Sequence, residues 1–396
     1  MPTPFDDAIR MVLDAATSIE RTEILPLERA DGRVIARDVI AALDVPPFDR
    51  AAMDGYAVRA ADTSGASAAG PKTLSCVDRV YTGQTTTRAV APGECIAIAT
   101  GAPMPDGADA VVIVEDTEAD GASVRIRSAV SPRQNVGRRA ADIAAGQPVV
   151  AAGQLLGPSR IGALAATGAT SVDVYAQPTV AIMSTGNEIA DPGEPLMPGQ
   201  IYDINRFTLE AVVRRHGGVP VALPASGDSI DELSRALDAA GACDVIVFSG
   251  GSSIGERDLM IDALKTRGEV HFHGIAVKPG KPTLFGSIGG TPVFGMPGYP
   301  TSCLSNAYML LLPFLRKVAR LPPWRPQTME VPLARRIVSA AGRHQFYTVR
   351  VVDGRAEPAF KASGDITSMA NADGYIEIAA STDVVEAGTL VTVTLF

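Results

Sequence analysis

The stretch CDVIVFSGGSSIGERDL, Cys243 to Leu259, passes from an apolar run through a turn of glycines and serines into the helical spacing of RDLMIDALKTRG. A short, unbroken apolar run bounded by glycine reads as a strand buried on both faces, and the helix after it makes one βα unit. Working outward, the same punctuation recurs. Strand-like TVAIMST, VHFHGIAV and PVFGMPG alternate with helical NRFTLEAVVRRHG, SIDELSRALDAAG and TSCLSNAYMLLLPFLRKVA, the last apolar nearly all round with Pro313 inside it as a kink. Residues 177–327 are therefore expected to form a doubly wound, parallel-sheet α/β domain.

The flanks read differently. Pro46 and Pro47 force an extended path, and short β-like runs (CIAIAT, DAVVIV, SVRIRSA) follow between Gly, Pro and Asp turns, which predicts an inserted, mostly-β domain over 45–140. The amphipathic N-terminus (Phe5, Ile9, Val12, Leu13) and the helical spacing of Ile161, Leu164 and Ala165 predict a discontinuous helical domain, 1–44 with 141–176, its two helices side by side. After LPPWRP, the strands VRVV, GYIEIA and TLVTVTLF predict a small C-terminal β domain over 328–396. The fold class is multidomain, α/β plus β.

A net charge of −9 argues against nucleic-acid or anionic-membrane partners, so an anionic ligand has to meet local positive charge. Four cysteines without CxxC spacing point to a reduced, cytoplasmic protein, and nothing approaches the ~20 apolar residues of a membrane span. Hydride chemistry finds no fingerprint, since GxGxxG does not occur in a useful context.

In open α/β sheets ligands sit beyond the carboxyl ends of the strands, where helix N-termini attract anions. Three loops of this kind occur: SGGSSIGERD with Ser249, Gly250, Gly251, Ser252 and Asp258; GMPGYPTS with Pro297, Gly298 and Ser302 ahead of Thr301 as a helix N-cap; and STGNEI with Glu188. KPGKP departs from the P-loop template but brings Lys278 and Lys281 together as an anion clamp. Glu188, Asp203, Asp228 and Asp258 each follow a strand, a placement suited to Mg²⁺ shared with substrate phosphates. His271 and His273 have no third ligand near in sequence and read as packing residues.

Eight ordered motifs now carry a resemblance: PPFDRAAMDGYAV (46–58), TGAPMPDGADAVV (100–112), GRRAADI (137–143), STGNEI (184–189), GQIYDINR (199–206), SGGSSIGERD (249–258), KPGKP (278–282) and GMPGYPTS (295–302). The chain resembles the MoeA and gephyrin E-domain family of molybdopterin molybdenumtransferases. That resemblance implies transfer of molybdenum from molybdate to adenylylated molybdopterin, with Mg²⁺-dependent hydrolysis of the adenylyl bond and release of AMP, by an elongated homodimer. It implies substrate contacts from Ser249 to Asp258 and from Lys278, Lys281, Arg138, Arg139 and Thr100, and places Asp54 and Asp142 with the catalytic acids. Asp228, Asp258 and Glu188 are the implied metal ligands, and which of them acts on water stays open. Molybdopterin adenylyltransferase and molybdoenzyme-maturation proteins are the implied partners. Tyr299 stands where many members have Asn, which leaves a tungstate-inserting paralogue as an alternative. A molybdopterin adenylyltransferase has only the α/β domain, and a scaffold of the gephyrin type is required by no residue.

Overall fold

Four strands of the predicted α/β region do lie parallel. In a computed structural model describing residues 1–224, 230–250 and 259–396, the six-stranded sheet runs in the order Val219–Ala222, Thr179–Ser184, Val245–Ser249, Thr291–Met296, Leu284–Ile288, Gly268–His273. The first four are mutually parallel, whereas the last two join antiparallel, so the expected all-parallel sheet is a mixed one. The cause is local. Only Gly289 and Gly290 separate Ile288 from Thr291, and a parallel crossover needs about a dozen residues or more.

Alternation along the strands supplies two cores. Val180, Ile182, Val245 and Val247 face one side with Leu209, Val213 and Phe314, while Ala181, Met183, Ile246 and Phe248 face the other with Leu233, Leu237 and Leu264. Successive strand side chains point to opposite faces, so helices are needed on both. The helix Phe5–Asp14 joins the first core through Ala8 and Val12, packed with Leu315 and Val318. An amphipathic stripe requires a face to be covered without naming the cover. Around Pro313 the long helix breaks into Pro300–Asn306, a π-turn at Ala307–Leu311, and Leu312–Val318. Proline has no N–H for the ladder, which loosens it one turn upstream.

A second six-stranded sheet runs Val277–Lys278, His344–Val352, Gly374–Ile378, Leu390–Leu395, Thr328–Pro332, with Arg355–Pro358 paired to His344–Val352. Its first strand comes from KPGKP, so the C-terminal β module takes in a piece of the lysine turn, with Lys278 opposite Gln345.

By contact the chain divides into two compact units: 1–23 with 32–34 and 174–396, and 24–31 with 35–173. The smaller unit is built on the sheet Ala110–Ile113, Gly55–Val58, Glu94–Ile98, Lys72–Val80, Ser123–Ile126, Thr117–Asp120, with a core on each face. It also holds the helix Pro158–Ala166, with Leu164 buried. No helix of the described residues is long and apolar enough to cross a membrane.

Candidate functional site

In the larger unit the carboxyl ends of three parallel strands meet as glycine-rich loops. Ser184 and Ser249 end paired strands and are buried, with their hydroxyls 3.3 Å apart. The Thr185 N–H donates to the Ser249 carbonyl at 2.9 Å, and the Gly250 N–H donates to the Met296 carbonyl at 3.2 Å. Gly250 has φ +95, and a Cβ there would stand 2.4 Å from the Thr185 carbonyl oxygen. Only glycine allows that approach. A Cβ on Gly298 would sit 3.4 Å from the Gly250 Cα, so STGNEI, the start of SGGSS and the PGYP loop interlock. Gly251, Ser252, Asp258 and Asp228 lie outside the described residues.

The PGYP loop is fixed from both sides. Asn205 donates its side-chain amide to the Gly298 carbonyl at 2.8 Å, while its own Oδ1 is buried without a partner among the described residues. Asp203, also buried, accepts the Arg206 N–H at 3.0 Å and orients the start of that helix. On the other side Thr301 is not the N-cap read from the sequence. Its hydroxyl donates to the Asp365 carbonyl at 3.0 Å and lies 3.2 Å from the Ser368 hydroxyl, and its N–H donates to the Ser363 carbonyl at 3.1 Å. The helix starts earlier, at Pro300, where the missing N–H costs nothing. Ser302 is buried inside its first turn, with Pro297 buried ahead of it.

Gly280 holds the lysine turn in shape. Its φ is +100, and the Asn306 amide, from the helix that follows PGYP, donates to its carbonyl at 2.9 Å. A Cβ on Gly280 would fall 2.3 Å from the Asn306 side chain. Lys278 and Lys281 are half-buried, and neither ammonium has an ion-pair partner among the described residues. The Lys278 ammonium lies 6.0 Å from the centre of the Phe360 ring. Cations held without counter-charge at the rim of an acidic protein are suited to receive an anion. The Glu188 carboxylate folds back over Gly186, where a Cβ would lie 2.4 Å from its Oε2. Among the described residues no three His, Cys, Asp or Glu side chains gather as a metal site. His271 rests against Phe285 with ring centres 5.4 Å apart.

The other sequence-predicted residues lie in the smaller unit. The Asp54 carboxylate accepts the Thr100 N–H at 2.6 Å and the Thr100 hydroxyl at 2.8 Å, and these two bonds hold its pKa below the ordinary carboxylate value. Arg50–Ala51 pairs with Val136–Gly137, Ala51 exchanges backbone bonds with Gly101 and Ala102, and the Asp142 N–H donates to the Val45 carbonyl at 3.0 Å. Arg139 is engaged by its own unit. Its Nε donates to Asp44 at 2.5 Å and its N–H to Asp49 at 2.7 Å. The Asp44 carboxyl is pulled down first by the Ala145 N–H and then by Arg139. Arg138 is exposed, with no ion pair among the described residues.

Sequence reading missed Asn205, Asn306, Phe360 and the run Ser363 to Ser368. The two asparagines stand inside helices and look like ordinary polar positions, and the C-terminal run carries no ligand motif of its own. Its small polar residues, KASGDITS, are the only cue.

Comparison with known proteins covers nearly the whole chain. The pattern of the "MoeA N-terminal region (domain I and II)" matches residues 3–168, that of a "probable molybdopterin binding domain" residues 181–317, and that of the "MoeA C-terminal region (domain IV)" residues 330–396. Molybdopterin molybdenumtransferase 2 of Mycobacterium tuberculosis is 38% identical over 92% of this chain and 93% of its own length. The molybdopterin molybdenumtransferase of Haemophilus influenzae is 34% identical over 86% and 84%. A crystal structure of the molybdopterin biosynthesis MoeA protein from Pyrococcus horikoshii superposes with a TM-score of 0.83 at 31% identity, covering both chains fully. With all three regions matched in order along the sequence, the chain belongs to the MoeA family.

Proposed function

We propose that the protein acts in molybdenum cofactor biosynthesis as a molybdopterin molybdenumtransferase, taking molybdate and adenylylated molybdopterin as substrates and releasing AMP as the adenylyl bond is hydrolysed. The observation that carries this reading is the pair of lysines, Lys278 and Lys281, whose ammonium groups have no ion-pair partner among the described residues, in a turn bonded through Asn306 to the helix behind the PGYP loop. An oxyanion and a phosphate linkage both need such cations at close range. Ser249 and Gly250 open the backbone cradle for the phosphate end, with Gly298 against it. Glu188, Asp228 and Asp258 are hard oxygen donors of the type Mg²⁺ takes alongside phosphate oxygens, and the bound ion would offset charge on the linkage.

The family motifs lie on both units of the chain. A homodimer in which the larger unit of one protomer works with Asp54, Thr100, Arg138 and Asp142 of the other accounts for that distribution. AMP release from adenylylated molybdopterin, with and without molybdate and Mg²⁺, tests the activity. Release that is indifferent to molybdate would sink the reading.

A further inference from the structure

We propose that Tyr299 is a stacking platform for a planar heteroaromatic ring of the substrate, pterin or adenine, an inference that rests on the function proposed above. Tyr299 is 66% exposed, although the backbone on either side of it is held by hydrogen bonds. On one side the Asn205 amide holds the Gly298 carbonyl at 2.8 Å; on the other, Thr301 is 1% exposed and bonded through both its N–H and its hydroxyl. One edge of the ring faces Gly364, where an added Cβ would lie 3.7 Å from its Cδ1 and 3.9 Å from its Cε1. Its hydroxyl has no hydrogen-bond partner among the described residues.

An aromatic ring exposed on a clamped backbone adds little to the core, and its apolar surface stays in water until something covers it. One residue away, Gly298 lies against Gly250 at the start of the proposed phosphate cradle, so a substrate seated there brings its ring systems within reach of Tyr299. A ring carried on a backbone already held in place costs little backbone entropy on stacking, and any flat heterocycle offers it a π-face.

The test is titration calorimetry of the full-length protein with molybdopterin and, separately, with AMP, using wild type, Tyr299→Phe and Tyr299→Leu, with a melting curve for each. Stacking predicts that Tyr299→Leu weakens one of the two ligands about 10-fold or more, that Tyr299→Phe stays within about 2-fold of wild type, and that all three melt together. A pterin platform loses molybdopterin and an adenine platform loses AMP. Equal affinities in wild type and Tyr299→Leu would overturn the proposal, as would equal losses in the Phe and Leu variants, which would assign the effect to the hydroxyl. Wild-type protein that binds neither ligand would remove the proposed function and this inference together.

Discussion

At the scale of single residues, the lysine turn separates charge from shape. Lys278→Ala and Lys281→Ala remove ammonium groups that no described residue pairs with, so molybdate affinity is expected to fall about 10-fold or more in each with the melting temperature unchanged. Gly280→Ala does the reverse work: a left-handed φ and a Cβ 2.3 Å from Asn306 predict about 2 kcal/mol or more of destabilisation, read from denaturant midpoints. Equal stability losses in all three variants would make the lysines structural. His216 carries a pH signature. Burial, followed by the charges of Arg316 and Arg215, pulls its pKa down from 6.5 to about 4, so the unfolded chain takes up a proton there before the folded one does. Its effect is absent above about pH 6.5 and grows as pH falls towards 4, reaching on the order of 3 kcal/mol of lost stability. His216→Gln is expected to flatten that part of the stability profile, measured by urea unfolding between pH 7 and pH 4. An unchanged slope would mean that other groups set it.

At the scale of elements, the site is a set of loops locked to one another by a few side chains. Asn205→Ala removes the bond to the Gly298 carbonyl, which predicts about 1 kcal/mol of lost stability. Because the loop it releases carries Tyr299, KM for the adenylylated substrate is expected to rise more than kcat falls, and a pure kcat effect would contradict a positioning role. Here the sequence was legible where the signal is local. The strand Val245–Ser249 follows from an apolar run and the helix Leu259–Arg267 from helical spacing, and Ser249, Gly250 and Pro297 stand at the ends of the parallel strands. It was less legible where a short connection overrides an average pattern. The pair Gly289–Gly290 turns Leu284–Ile288 antiparallel to Thr291–Met296, and Pro300 starts the site helix before Thr301, releasing that side chain to bind the C-terminal segment.

At the scale of the molecule, the proposed shared site has a direct consequence for mixtures. Asp54→Ala and Lys278→Ala each disable a different unit of the chain, and if each site takes one unit from each protomer, a mixed dimer keeps one intact site. Equal mixing with subunit exchange is then expected to restore about a quarter of wild-type AMP release, half of the dimers being mixed and half of their sites whole. Activity that stays at the level of the separate variants would place both residues in one chain's site. The sequence by itself determined the βα punctuation, the two lysines of the KPGKP turn and the ordered motifs of the MoeA family, because turn chemistry, periodicity and motif spacing are properties of neighbouring residues. Only the tertiary structure decided that the helix Phe5–Asp14 covers the α/β core, that Val277–Lys278 joins the C-terminal sheet, that the segment from Ser363 to Ser368 holds Thr301, and that Arg139 is engaged by Asp44. Each of these pairs residues tens to hundreds of positions apart. An apolar stripe or a free donor fixes that a partner is needed, and the packing of the whole chain chooses which one.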